Sequence, residues 1–304
     1  MEITAGLVKE LREKTGAGMM ECKKALSEVG GDLEKAVDFL RKKGLSVAEK
    51  KAGRIANQGL VGLSVAGKEG VLVELNSETD FVAKNTEFQE FLTNTLSVAL
   101  TEKGDMDKVK SAKMGAKTVE LTLVDLIARI GENMNLRRSA HVAVDTGVVV
   151  PYMHTATTPN LGKIGVLVAL ESTAPADKLM ELGKKLAMHI AASNPQFLNI
   201  SSVDAGTLAR EKAIYEEQAK ASGKPANIIE KMVDGRIRKF YEEAVVHEQS
   251  FIMDPDKKVK DIIAEAARAL GTPITLKAFV RYGLGEGIEK RVEDFAEEVK
   301  KQIG

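Results

Sequence analysis

The chain has 304 residues, 29% of them charged and 44% hydrophobic, with 44 Lys and Arg balanced by 44 Asp and Glu. That length gives room for two or more domains, each with its own core. The even balance excludes bulk binding of nucleic acid, which rests on basic residues accumulated at phosphates, and the single cysteine, Cys22, excludes an internal disulfide or a thiolate metal cluster.

The Met1-Glu2-Ile3-Thr4 start has neither a basic n-region nor an apolar h-region. No apolar run approaches the roughly 20 residues of a membrane span. The expectation is a cytoplasmic protein without membrane contact.

Residues 1–54 read as a small helical unit. Leu7, Val8 and Leu11 give a first helix its stripe, and Thr15-Gly16-Ala17-Gly18 ends it. Ala25, Leu26 and Val29 mark a second helix, closed by Gly30-Gly31. Asp32 caps a third, with Leu33, Ala36, Val37 and Leu40 on its face. Met19 and Met20 are adjacent and cannot share one helix face, so one is expected at the surface, as a protein contact or at the margin of the core. Arg41-Lys42-Lys43 and Lys50-Lys51 read as a solvated linker rather than a nucleic-acid patch, because no aromatic residue is interleaved for base stacking. Cys22 reads as a small buried helix residue.

From Gly59 the period changes to two. Residues 60–65 and 71–75 flank Gly67-Lys68-Glu69-Gly70 as a hairpin. The second strand alternates apolar with small or charged residues, as a half-buried strand does. Asn76 to Asp80 break the pattern in favour of a turn. A helix follows over 86 to about 100, with Thr86 and Gln89 at capping-box spacing and Phe88, Phe91, Leu92 and Leu96 on its apolar face. Asp80 and Phe81 lie between, outside both periodic patterns. Two readings fit them: Asp80 caps the turn while Phe81 folds back on the helix, or the pair stands clear of the scaffold and enters a partner. A further helix passes through Leu121, Val124, Leu126 and Ile130, is capped by Gly131, and gives way to a strand over 136–144.

The next region repeats this one. Gly70-Val71-Leu72-Val73-Glu74-Leu75 reappears as Gly165-Val166-Leu167-Val168-Ala169-Leu170, an offset of 95 (165 − 70). Ile130-Gly131 reappears as Leu270-Gly271 at an offset of 140 (271 − 131). The halves match if the second carries an insertion. Helices over 177–193, 204–221 and 227–246 are expected to form it, as a helical hairpin whose apolar stripe packs on its own domain or on a second copy. His154 ends a strand over 148–154, before a loop over 155–161. A strand over 272–284 and a surface helix over 289–303 close the chain.

Little here supports bond chemistry. There is no phosphate loop, no dinucleotide-binding glycine fingerprint and no His-x-x-x-His pair among His141, His154, His189 and His247. Neither an enzyme nor a cofactor is expected.

Two stretches carry a resemblance. Thr15-Gly16-Ala17-Gly18-Met19-Met20-Glu21-Cys22-Lys23-Lys24-Ala25-Leu26 and Glu78-Thr79-Asp80-Phe81-Val82-Ala83-Lys84-Asn85 resemble the two signatures of the bacterial elongation factor Ts family. Ile130-Gly131-Glu132-Asn133, Met188-His189-Ile190-Ala191-Ala192 and Gly285-Glu286-Gly287-Ile288-Glu289-Lys290 support it. The resemblance covers essentially the whole chain. It implies an α+β fold with an N-terminal three-helix, ubiquitin-associated-like module (1–54), a duplicated core of small antiparallel sheets with flanking helices (55–145, then 146–176 and 246–304), an inserted helical hairpin used for dimerisation (177–245) and a C-terminal helix.

It further implies guanine nucleotide exchange on elongation factor Tu in translation. Thr79, Asp80, Phe81 and Val82 would wedge into the partner's G domain and displace its magnesium ion. Met19, Met20, Lys23, Ile130, Gly131 and His154 would make further partner contacts, His154 towards the phosphate-binding loop. The segment Thr155-Ala156-Thr157-Thr158-Pro159-Asn160 departs from the family pattern. The rival from another class is a translation protein that binds RNA or the ribosome through the Lys-rich stretch and Arg137-Arg138.

Overall fold

The computed structural model describes residues 3–221 and 223–288, so the helix expected over 289–303 lies outside the described residues. The chain opens with helices α1 (Ala5–Thr15), α2 (Met19–Glu28) and α3 (Leu33–Lys51). Gly16 closes α1 in the left-handed conformation that a residue without Cβ adopts at little cost, and the Asp32 side chain accepts from the Lys35 amide to open α3. Leu11, Cys22, Ala25, Leu26 and Ala36 are fully buried between the three. The Lys-rich stretch expected as a linker is instead the second half of α3. Within it the buried Gly44 packs against Val124 and Ala128 of α7 (Val119–Ile130).

The first half of the core runs β1 (Gln58–Ala66), β2 (Glu69–Ser77), α4 (Asp80–Ala83), α5 (Thr86–Thr101), α6 (Met106–Ser111), β3 (Lys113–Met114), β4 (Lys117–Thr118), α7 and β5 (Met134–Ala143). The second runs β6 (Gly147–Thr158), β7 (Leu161–Glu171), α8 (Ala176–Ser193), α9 (Ala205–Lys220), α10 (Ala226–Ala244), β8 (Ser250–Phe251), β9 (Asp254–Lys258), α11 (Val259–Leu270) and β10 (Thr275–Gly283). The two orders coincide apart from α4, which the second half lacks, and α9 and α10, which stand where the first half has only α6. Each half also opens its first strand with a glycine at φ near 120°, Gly59 and Gly147. A Cβ there would fall 2.2 Å from the Leu75 carbonyl oxygen and 2.0 Å from that of Leu170. Leu75 and Leu170 are themselves partners in the repeat, so the same close approach occurs twice and the duplication is structural.

Two units separate by contact density. One takes the chain up to Gly62, Val73–Ser139 and the segment from Gly283; the other takes Leu63–Leu72 and Ala140–Tyr282. In the first, β2 lies between the inner halves of β1 and β5, and Phe88, Leu92, Leu96, Leu126 and Leu136 are buried. In the second, β7 neighbours β10 and the outer part of β1, and pairs antiparallel with β6 in a register that sets Val150 against Val168 and His154 against Ile164.

Leu179, Leu182, Leu186 and Ile190 of α8 pack into that second core, with Val150, Val168, Leu170 and Ile263. The sequence places α8 at the start of the insertion, yet its stripe covers the sheet, and only α9 and α10 form the hairpin. They close on each other through Ala219, Val233 and Ile237, flanked by Leu208, Tyr215 and Ile229. The loop expected over 155–161 is also strand, since β6 runs on to Thr158, with Thr155 at φ 52° and a register shift between Ala156 and Thr158, and turns at Pro159-Asn160.

Candidate partner-binding site

β2 delivers the chain to the site and is buried from Gly70 through Ser77, not half-buried as its alternation suggests. Its charged residue, Glu74, is wholly inside. Arg137 Nη1 donates to both of its oxygens at 3.1 and 3.3 Å, and Arg138 Nε, Asn76 Nδ2 and the Gly285 amide donate at 2.5, 3.0 and 2.8 Å. Burial pushes the Glu74 carboxyl up, but the Gly285 amide, Asn76 and Arg138 together outweigh it and hold the group below its ordinary value. The two guanidiniums also donate to the carbonyls of Glu286 and Gly283. They are structural cations, which takes Arg137 and Arg138, but not the exposed Lys-rich stretch of α3, away from the RNA-binding rival.

Beyond Ser77 the chain makes one helical turn, α4. Val82 and Ala83 point inward and are buried, while Phe81 points outward and keeps 77% of its surface exposed. The fold-back reading of Phe81 therefore fails. Full burial of such a ring is worth roughly 1.5–3 kcal/mol, which this chain by itself forgoes. Lys84 Nζ lies 5.7 Å from the ring centroid and 3.9 Å from the Asp80 carboxylate, both contacts open to solvent. α5 is capped not by a Thr86–Gln89 box but by Asn85, whose Oδ1 accepts from the Glu87 and Phe88 amides. Gln89 instead donates to the Ala83 carbonyl and ties α4 to α5.

The turn is held from outside. Glu132, just after the Gly131 cap of α7, accepts from the Thr79 amide at 3.0 Å and from the Thr79 hydroxyl at 2.8 Å. In return Glu78 accepts from the Asn133 amide at 2.6 Å and lies 3.5 Å from Arg54, while Asn133 Nδ2 donates to the Arg54 carbonyl. The structure thus brings Ile130 and Gly131, half-buried, into the chain segment that clasps Thr79. Sequence reading singled out Ile130-Gly131-Glu132-Asn133 but gave Glu132 and Asn133 no task. The only signal was two carboxylates, each beside a turn.

Met19 and Met20 both lie at the surface, 50% and 77% exposed, and Lys23 on the same helix is exposed as well. His154 belongs to the second unit, on an exposed stretch of β6, with Tyr152 Oη 3.2 Å from its Nδ1. Among the described residues no group of His, Cys, Asp and Glu could hold a metal ion, and no helix is long and apolar enough to cross a membrane.

Comparison with known proteins gives the family. The family described as "Elongation factor TS" matches residues 78–286. Proteins named "Elongation factor Ts" from Rhodospirillum rubrum, Paramagnetospirillum magneticum and Caulobacter vibrioides are 58%, 56% and 52% identical to the chain. The alignments cover 99%, 100% and 100% of this chain and 99%, 98% and 99% of the relatives. With the likeness running through both halves and both signatures, the chain belongs to the elongation factor Ts family.

Proposed function

We propose that the chain is a guanine nucleotide exchange factor that binds elongation factor Tu carrying GDP, in the cytoplasm, and speeds release of the nucleotide. The observation that carries the proposal is Phe81, an aromatic ring left 77% exposed on an anchored turn. Asp80 and Phe81 enter the partner's G domain; the ring parts its helices, and the carboxylate disturbs the surroundings of the magnesium ion. The chain makes and breaks no bond. It binds the nucleotide-free partner more tightly than the loaded one, and linkage makes factor and nucleotide weaken each other reciprocally.

Magnitudes decide how many contacts take part. A thousandfold faster release requires about 4 kcal/mol at about 1.4 per decade. One ring supplies roughly 1.5–3 kcal/mol. The remainder falls to Met19, Met20 and Lys23 on the three-helix module, to Ile130 and Gly131, and to His154. Self-association through the α9–α10 hairpin belongs to the same proposal, supported by Ile214 and Ile228, which remain exposed on it.

The test is release of labelled GDP from purified elongation factor Tu with and without this protein at substoichiometric amounts. Accelerated release supports the proposal, and an unchanged rate overturns it.

A further inference from the structure

A helix of four residues cannot hold its own direction, because nucleating a turn fixes several dihedrals for a single bond. At the end of α4 the returns are short ones, Lys84 N to the Phe81 carbonyl at 3.1 Å and Asn85 N to the Val82 carbonyl at 2.9 Å. Thr79 occupies the cap position, where a threonine hydroxyl ordinarily accepts from the turn it opens. Here its side chain makes no such bond. The hydroxyl and the amide both donate to Glu132 instead, so the direction of the turn is set from another segment.

The duplicated half supplies an internal control. At the corresponding place Thr173 and Thr272 join hydroxyl to hydroxyl at 2.8 Å, and Ser172 Oγ donates to the Pro273 carbonyl at 2.7 Å. No carboxylate takes part there, and the chain passes through Ala174 and Pro175 into α8 with no aromatic residue. The carboxylate clasp occurs in the half that carries the exposed ring.

We propose that Glu132 is a positioning residue for Phe81: by taking both donors of Thr79 it fixes the direction in which the ring leaves the protein. This rests on the reading of Phe81 as a wedge. Glu78, accepting from Asn133, completes the clasp from the other side. Charge-assisted bonds are the stronger and more directional kind, and a ring already aimed loses less freedom on entering a partner.

The experiment compares four full-length proteins, wild type, Glu132→Gln, Phe81→Ala and the double variant, in stopped-flow release of fluorescent GDP from elongation factor Tu. A second arm places 4-fluorophenylalanine at position 81 and reads its fluorine resonance in the free protein. Loss of one bond to a charged group lowers release at saturation about tenfold. Glu132→Gln is expected to show that loss while its half-saturating concentration stays within about twofold, since the docking surfaces are untouched. The double variant releases GDP no more slowly than Phe81→Ala alone, and the fluorine line broadens or splits in Glu132→Gln. Thr79→Val reproduces the defect and Thr79→Ser restores the rate. An equal further loss in the Phe81→Ala background, or a fluorine line unchanged by Glu132→Gln, overturns the proposal. If Phe81→Ala by itself leaves release unaltered, the wedge reading falls, and the fluorine arm still decides whether Glu132 aims the ring.

Discussion

The two halves of the core share an order of elements but differ where the second strand hands over to the helix. In the second half that connection is Ser172–Pro175, and hydroxyl groups hold it. In the first it is Glu78–Asn85, long enough to contain α4, and two carboxylates hold it. The extra residues add no core beyond Val82 and Ala83. They lift an aromatic ring out of the protein and hold the turn that bears it. The duplicated scaffold thus separates the architecture both copies share from what only the first carries, an anchored turn with an exposed ring.

The largest effect that sharpens the comparison concerns two phenylalanines on neighbouring helices. Phe88 is fully buried, and Phe88→Ala should cost about 3–5 kcal/mol in denaturant unfolding. A cost under 1 kcal/mol would mean that the first core is not built around it. Next comes Glu74. Glu74→Ala strands Arg137 and Arg138 and should destabilise by about 3 kcal/mol, less only if the two guanidiniums escape fully to water.

Acid should separate the halves. His189 is fully buried in the second, its Nδ1 accepting from the Ile252 amide and its Nε2 opposite Gln249 Oε1. Burial pushes its pKa down from the ordinary 6.5, only partly opposed by the Gln249 bond. The unfolded chain therefore binds the proton more readily, and stability falls as pH drops below about 6.5. Glu74 in the first half is also lowered, from 4.5, so its contribution is complete above that value and is lost only as pH falls through the depressed folded one. Hydrogen exchange corrected for intrinsic rate should show α8 and β8 loosening first as pH falls below about 6.5, with β2 and β5 protected until below pH 4.5. Simultaneous loss would contradict the assignment. The smallest effect is on the exposed ring: Phe81→Ala should leave stability within about 0.5 kcal/mol.

Much of this was legible in the chain. Gly16, Gly131 and Gly271 mark helix ends because a left-handed residue without Cβ closes a helix cheaply, and all three do so. The hairpin turns within the expected Gly67-Lys68-Glu69-Gly70, though Glu69 and Gly70 already belong to β2. What escaped depends on distance along the chain. Glu74 reads as an outward residue until the arginines that bury it, far along the chain, are known. The stripe of α8 fits a hairpin or a sheet equally well, and only the sheet shows which surface it covers. The short pairs β3–β4 and β8–β9 have too few residues for any period to appear. At the site, sequence isolated Asp80 and Phe81 but not their support, since a bond from Thr79 to Glu132 leaves no local pattern.

The central claim is that the Phe81 ring acts on a neighbouring G protein rather than on its own fold. Stopped-flow release of GDP from elongation factor Tu by Phe81→Ala tests it most directly, with complex formation measured alongside. The account predicts release slowed by about 10- to 100-fold, the worth of one buried ring, with complex formation largely intact. Release at the wild-type rate would contradict it.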